Sequence, residues 1–219
     1  MPSSLPQVRL PHVWTASLLI ASLFASVGIP GSTWAQEPDS AAGGTVLNYR
    51  YQAPGDGSAA PFVSTPYPVV DSMLSMANVE KEDVVYDLGS GDGRIPIMAA
   101  KKYGARGVGI EIKEHLVDSA RSNARKAGVA DRVEFRQGDL FDADISDATV
   151  VTLYLLPGAN LKLRSKLIRE LAPGTRVVSH DFHMEEWTPD STREFGNKLL
   201  YLWRIPEEPP DFVRERRRK

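Results

Sequence analysis

The sequence predicts an α/β fold: a doubly wound, mostly parallel sheet with helices on both faces. Three observations carry this prediction. Short apolar runs alternate with amphipathic stretches, a glycine-rich turn directly follows the first run, and 219 residues suit one domain of ordinary size with some extra sequence. Ligands in such sheets bind beyond the carboxyl ends of the central strands, so functional residues are expected there.

Four predicted elements open the domain in the order strand, helix, strand, helix: residues 84–88, 95–102, 107–112 and 114–127. The first run, VVYDL, is rich in β-branched residues and ends at Gly89, which favours a strand followed by a turn. Pro96 is compatible with the first helix only because it lies in the first turn. Gly128 directly follows the second helix and predicts its C-cap.

Five further elements complete the prediction: strands at residues 132–136 and 149–155, a helix at 160–171, and strands at 175–179 and 197–205. The run TVVTLYL is almost wholly apolar, which predicts a central strand buried on both faces. Leu163, Leu167 and Leu171 recur at helical spacing. The last strand is expected to run antiparallel to the others.

The ends of the chain differ in composition from this domain, which we assign to residues 61–206. Residues 1–35 combine a weakly positive start, an apolar stretch of about 15 residues and small residues at a cleavage position. They predict a signal peptide, with a membrane anchor as the alternative. Residues 36–60 are rich in glycine, alanine, serine and proline and predict a flexible linker, and residues 207–219 form a proline-rich stop and a basic tail. The expected location is exported or periplasmic, or membrane-anchored, with the cytosolic face as a further option.

Composition excludes several kinds of chemistry. The chain has no cysteine, so it has no disulfide, thiolate nucleophile, zinc ribbon or iron–sulfur cluster. Residues 36–213 hold 20 basic and 27 acidic residues, a net charge of −7, which does not favour nucleic acid as a partner. The run Ser-His-Asp-Phe-His at residues 179–183 lacks a further ligand at convincing spacing, so no metal site is predicted.

The glycine-rich turn is the strongest functional signal. Residues 87–94 (DLGSGDGR) follow the first strand and open a helix, where glycines let the backbone approach a ligand closely. Glu111 ends the second strand, 22 residues after Gly89, and can accept both hydroxyls of a ribose. Asp139 ends the third strand, where a carboxylate can bond the amino group of an adenine. Together these residues indicate a cofactor that contains adenosine.

The acidic residues of the turn distinguish between adenosine cofactors. The dinucleotide fingerprint G-x-G-x-x-G needs a glycine where Arg94 stands. Asp87 and Asp92 would repel a pyrophosphate but could hold a cation, such as the amino group of a methionine moiety. Three acids at three successive strand ends therefore favour S-adenosylmethionine, which has no phosphate, over NAD.

At these residues the chain resembles class I (seven-strand) S-adenosylmethionine-dependent methyltransferases. Residues 61–66 (PFVSTP), 87–95 (DLGSGDGRI) and 187–190 (WTPD) look like the ATP-synthase c-subunit lysine methyltransferases and, more distantly, the non-SET histone lysine methyltransferases. One departure is Ser64, which replaces the proline of the usual Phe-Val-Pro pattern. The residues expected to contact the cofactor, from the resemblance and from the loop, are Thr65, Asp87, Gly89, Ser90, Gly91, Glu111, Asp139 and Leu140.

The methyl acceptor is expected beyond the fourth strand, which ends Tyr154-Leu155-Leu156-Pro157. Enzymes that methylate amino groups of adenine or glutamine commonly show Asn-Pro-Pro-Tyr there, so the sequence argues against a nucleobase acceptor. The ring of Tyr154 could wall an alkylammonium and its hydroxyl could orient the amine. General-base help from Asp181 or His180 is a further hypothesis, and structural hydrogen bonding by the 179–183 run is the expected alternative.

The sequence thus predicts a methyltransferase that acts on a lysine amine of a protein, a membrane protein among the options. A small-molecule or lipid methyltransferase of the same fold is one alternative. Another is an exported module that binds S-adenosylmethionine without turnover, because this cofactor is made in the cytosol. An NAD-dependent reductase is a third and conflicts with Arg94.

Overall fold

A seven-stranded mixed sheet organises residues 62–214, the part of the chain that the computed structural model describes. Its strands are β1 (Val84–Leu88), β2 (Arg106–Glu111), β3 (Val133–Gln137), β4 (Val150–Leu153), β5 (Arg176–His180), β6 (Ser191–Phe195) and β7 (Lys198–Arg204). They lie in the order β3-β2-β1-β4-β5-β7-β6, with β1 to β5 parallel, β7 antiparallel to β5, and β6 antiparallel to β7. The fold class and the antiparallel last strand are as predicted. The predicted signal peptide, the linker and residues 215–219 lie outside the described residues.

Five helices connect or flank these strands within residues 62–214: α1 (Tyr67–Met76), α2 (Arg94–Met98), α3 (Glu114–Ala127), α4 (Pro157–Glu170) and α5 (Asp211–Arg214). A π-helical turn, Ala99–Tyr103, continues α2. The ends of α3 agree with the prediction, and Gly128 caps it in the left-handed conformation with φ of 72°. The predicted fourth strand, residues 149–155, is too long at both ends, since β4 spans Val150–Leu153. The following helix begins at Pro157, three residues before its predicted start at residue 160.

The core has two main parts, formed by different side chains of the central strands. Val85, Val150 and Val178 pack with α1 and the start of α2. Leu88, Leu153 and their neighbours pack with α4 and with Trp203 of β7. All four residues of β4 are buried, which agrees with its apolar run. Two layers of helix around one sheet therefore hold the carboxyl ends of β1, β2, β4 and β5 along a common edge.

Two glycines of β2 let α2 and the glycine loop lie unusually close to the sheet. A Cβ at Gly107 would lie 2.7 Å from Cβ of Pro96, and one at Gly109 would lie 2.5 Å from Oγ of Ser90. In the dinucleotide fingerprint, the third glycine of the loop allows the helix to pack closely on the strand. This chain has Arg94 at that position. Here glycines on the strand provide that space.

Candidate active site

A cleft opens at the carboxyl ends of β1, β2 and β4 and encloses about 770 Å³ of space, part of it open to solvent. Ten of the twelve residues singled out from the sequence line it: Thr65, Asp87, Gly89, Ser90, Gly91, Asp92, Glu111, Asp139, Leu140 and Tyr154. His180 and Asp181 are absent from the lining. The fold thus brings the loop, the acid after β2 and the acid after β3 to one cavity, although 52 residues separate Asp87 from Asp139 in the chain.

The floor of the cleft is the glycine loop, whose backbone only glycine adopts readily. Gly89, Gly91 and Gly93 have φ of 83°, 54° and 79°, in the left-handed region. A Cβ at Gly89 would lie 2.9 Å from Cδ2 of Leu155, and one at Gly91 would overlap the ring of Phe62. The loop therefore leaves room along its backbone where side chains would fill the cavity. The hydroxyl of Ser90 is buried against Gly109 of β2 and has no hydrogen-bond partner within residues 62–214.

Asp87 is the most perturbed carboxyl group of the cleft. It is buried at the end of β1, and its Oδ1 accepts a hydrogen bond of 2.7 Å from Oγ1 of Thr152 on β4. Burial raises its pKa to about 7, and the charges of Glu111 and Asp92 add to that rise, while the Thr152 bond opposes it. A cation bound in the cleft would therefore stabilise the ionised form of Asp87.

Glu111 and Asp139 are oriented by backbone amides. The carboxylate of Glu111 is buried and accepts hydrogen bonds from the N–H groups of Gly91, at 2.9 Å, and Lys113, at 3.0 Å. One carboxylate thus fixes both the loop after β1 and the turn after β2. Asp139 is more exposed and accepts the N–H of Phe141 at 2.8 Å, which forms a tight turn beyond β3.

Arg94 has a role that the sequence did not reveal. Its guanidinium donates two bonds to the carboxylate of Asp92, at 2.9 and 2.6 Å, and one of 2.8 Å to the backbone oxygen of Thr65. The bond to Asp92 is the main cause that raises the pKa of Arg94. The arginine thereby ties the segment before α1 to the glycine loop. No local pattern could have indicated this, because Thr65 lies 29 residues away.

Tyr154, the first residue after β4, lines the cleft, and His180, the last residue of β5, lies beside it outside the lining. Leu153 pairs with Ser179, so the next residues along each strand are neighbours, and their rings stack with centroids 3.9 Å apart. His180 is fully buried, and neither ring nitrogen makes a hydrogen bond within residues 62–214. Burial lowers the pKa of His180, which favours the neutral imidazole. The expected structural hydrogen bonding is therefore wrong for His180.

Asp181 lies behind this stack rather than in the cleft. Its Oδ2 is 3.4 Å from Nε2 of His180 and accepts a 2.8 Å bond from Nζ of Lys198, and its Oδ1 accepts the N–H of Leu199. Burial would raise the pKa of Asp181, but these bonds outweigh it and hold the pKa below its usual range. Its φ of 64° is unusual for a residue other than glycine.

Neither a metal-binding cluster nor a membrane-spanning helix is found in the part of the chain that the structure describes. Within residues 62–214, His, Asp and Glu do not form a group of three or more that could hold a metal ion. No helix in that range is both long enough and apolar enough to cross a bilayer.

The residues of the cleft fit S-adenosylmethionine better than a dinucleotide. The glycine backbone leaves a cradle that side chains would fill, the buried hydroxyl of Ser90 lacks a hydrogen-bond partner among the described residues, and carboxylates stand at the ends of β1, β2 and β3. Carboxylates suit the ammonium, ribose and adenine of a phosphate-free nucleoside. The guanidinium of Arg94, which could otherwise meet a phosphate, already pairs with Asp92.

Comparisons with known proteins also indicate a methyltransferase. The ANTKMT methyltransferase domain matches residues 87–191. A protein-lysine N-methyltransferase from Saccharolobus islandicus (strain REY15A) is 45% identical over 152 residues, 67% of this chain and 94% of that protein. The human ATP-synthase c-subunit lysine N-methyltransferase is 34% identical over 143 residues, 65% of this chain and 60% of that protein. The match thus spans less than two thirds of the human relative.

A solved structure also matches over most of its length. It is a crystal structure of an RNA methyltransferase from Salinibacter ruber in complex with S-adenosyl-L-homocysteine, 64% identical to this chain. The match has a TM-score of 0.68 and covers 68% of this chain and 97% of the other. The resemblance seen in the sequence and the choice of cofactor are confirmed. This chain belongs to the S-adenosylmethionine-dependent methyltransferases.

Proposed function

We propose that this enzyme transfers the methyl group of S-adenosylmethionine to the ε-amine of a lysine in a protein substrate. The observation that carries the proposal is the 45% identity to a protein-lysine N-methyltransferase across 94% of that relative. An amine acceptor fits the cleft at Tyr154, because the ring of Tyr154 lines it and the carboxylate of Asp181 lies 3.4 Å from the imidazole of His180, on which that ring stacks. The human relative's name extends the proposal to membrane-protein substrates such as the ATP-synthase c-subunit.

When bound, the cofactor supplies a methyl group that is already activated by its sulfonium sulfur. The protein's contribution is therefore orientation and exclusion of water. In our proposal Asp87 binds the ammonium of the methionine moiety, Glu111 binds the ribose and Asp139 binds the adenine. Gly89, Ser90 and Gly91 supply the cradle between them, and Thr65 and Leu140 form part of its walls.

The acceptor amine must be neutral to accept a methyl group, so its ammonium has to lose a proton first. In our proposal Tyr154 walls the alkyl end of the lysine next to the cleft. The uncharged state of the buried His180 beneath it avoids a second positive charge at this position. A partly desolvated environment without added cations favours the neutral amine.

Binding of the cofactor should depend on pH through Asp87. Its pKa of about 7 in the free protein means that the carboxyl is increasingly protonated below pH 7. Since an ionised carboxylate is needed to hold an ammonium, the affinity for S-adenosylmethionine should fall about tenfold per pH unit below 7 and level off above it. Calorimetric titrations at pH 5.5, 6.5 and 7.5 measure this slope.

Asp87→Asn is the control for this slope: its binding should be weaker and almost independent of pH over the same range. An equally steep slope in the variant would show that another group titrates. The stability of the free protein should change with pH in the opposite direction. Because the pKa of Asp87 is raised from 3.8 to about 7 in the folded protein, the free energy of unfolding should fall as the pH rises through that interval.

An RNA acceptor is the second candidate, favoured by the name of the Salinibacter ruber structure and its 64% identity. Two features of this chain argue against RNA. Residues 36–213 have a net charge of −7, whereas RNA binding needs a basic surface. The residues after β4, Tyr154-Leu155-Leu156-Pro157, differ from the Asn-Pro-Pro-Tyr pattern of many enzymes that methylate an amino group of adenine.

One labelling experiment tests both candidates. The full chain is incubated with S-[methyl-³H]adenosylmethionine and with either the total protein or the total RNA of a single cell lysate. After complete hydrolysis, chromatography separates methylated lysines from methylated nucleosides. We expect label in mono-, di- or trimethyllysine and none in nucleosides above a Gly89→Arg control. Label in nucleosides alone would contradict the lysine proposal.

A further inference from the structure

The side-chain amine of Lys198 lies near the Tyr154–His180 stack, outside the residues that line the cleft. Lys198 is the first residue of β7, which pairs antiparallel with β5 so that Leu200 is opposite His180. This register carries the start of β7 past the carboxyl end of β5, and Nζ of Lys198 reaches Oδ2 of Asp181 at 2.8 Å. The lysine side chain is 30% exposed, so its amine can leave this position without unfolding the strand.

A short series of contacts connects this amine to the cleft. The carboxylate that holds it is 3.4 Å from Nε2 of His180. The imidazole of His180 stacks on the ring of Tyr154, and Tyr154 lines the cleft. A lysine amine of the protein itself is thus held one aromatic stack away from the cavity in which the methyl donor binds.

The ammonium of Lys198 balances the charge of the Asp181 carboxylate. Asp181 raises the pKa of Lys198, chiefly through their hydrogen bond, and Lys198 in turn helps to lower the pKa of Asp181. The other titratable groups that face the carboxylate are His180, which burial keeps neutral, and Tyr201 of β7, whose pKa burial and Asp181 raise. Asp181 is therefore a carboxylate suited to one ammonium, and in the free enzyme that ammonium belongs to the chain itself.

We propose that Asp181, together with the Tyr154–His180 stack, is the docking point for the ammonium of the acceptor lysine, and that Lys198 occupies it in the free enzyme as an internal stand-in. The incoming ligand is a primary alkylammonium, which displaces the ammonium of Lys198 into solvent. Because the carboxylate favours the charged form, the amine loses its proton to water only after it leaves Asp181 for the cleft beside Tyr154. This inference rests on the proposed function. It makes Asp181 a residue that selects the acceptor rather than a general base.

Removal of Lys198 should tighten acceptor binding, because two ammonium groups then no longer compete for one carboxylate. The test measures the dissociation constant of a fluorescent lysine hexamer by anisotropy, with the enzyme saturated with S-adenosylhomocysteine. Lys198→Met should lower this constant roughly tenfold. Lys102→Met is the matched control, since it removes the same charge from another lysine–aspartate pair, 2.5 Å from Asp71, outside the cleft lining.

A double variant shows whether the effect acts through Asp181. In Lys198→Met/Asp181→Asn the gain should disappear, because the carboxylate that attracts the hexamer is gone. Equal dissociation constants for Lys198→Met and Lys102→Met would overturn the inference, and so would a gain that survives in the double variant. If the hexamer binds as expected but the labelling experiment finds no methyllysine, the proposed function fails while the ammonium site stands.

Discussion

Gly89→Arg abolishes binding of S-adenosylmethionine while the domain stays folded. Gly89 has φ of 83°, and a Cβ there would lie 2.9 Å from Cδ2 of Leu155 and 3.9 Å from Cδ2 of Leu140, both in the lining of the cleft. An arginine side chain at this position has to extend into the cavity that the loop keeps open. The left-handed backbone costs a side chain about 1–2 kcal/mol, well below the stability of a typical domain.

Gly128→Arg separates the steric effect from the backbone strain. Gly128 has φ of 72°, similar to that of Gly89, but a Cβ there would meet no atom within 4 Å. Both variants should lower the melting temperature by similar small amounts, and only Gly89→Arg should lose the calorimetric signal. Cofactor binding by folded Gly89→Arg within threefold of the wild type would exclude the loop as the floor of the site.

Tyr154→Ala reduces turnover about 100-fold and changes cofactor affinity less than threefold, the size of loss expected when a reacting group is misplaced by about 1 Å. The ring is stacked on His180 and lines the cleft, so its removal opens the wall against which the acceptor amine is aligned. Tyr154→Phe keeps that wall and should retain most of the activity. Steady-state rates with labelled donor, combined with calorimetry of donor binding, measure the two effects separately.

The matched control for this variant is Tyr103→Ala. Tyr103 is also half-buried, but it donates to Asp71 at the end of the π-helical turn and does not line the cleft. Its variant should lose stability and keep its turnover per folded molecule. If Tyr154→Ala behaves in the same way, Tyr154 is a packing residue and the acceptor lies elsewhere.

Much of the cleft follows from local sequence because most of its lining lies at or just beyond the ends of strands. The run VVYDL followed by glycine has the same ends in the structure as in the prediction, and Gly128 ends α3 as expected. Parallel neighbours then bring Glu111 and Asp139 beside the loop without further information. Topology alone therefore converts three separate acidic turns into one cavity.

Other parts depend on contacts that no local pattern encodes. All five residues of β6 are exposed, so its sequence STREF has no apolar alternation, and only its pairing with β7 defines it. Helix α1 is not among the elements predicted from the sequence, and it has no side-chain cap at its N-terminus. The partner of Asp181, Lys198, lies 17 residues further along the chain, and the partner of Arg94, Thr65, lies 29 residues before it.

Calorimetric titration of the full chain with S-adenosylmethionine, S-adenosylhomocysteine and NAD tests the central claim, that this cleft is built for a phosphate-free adenosyl cofactor. The account predicts binding of both sulfur nucleosides to the wild type, loss of both in Gly89→Arg, and no binding of NAD. Binding of NAD, or retention of the sulfur nucleosides by folded Gly89→Arg, would contradict it.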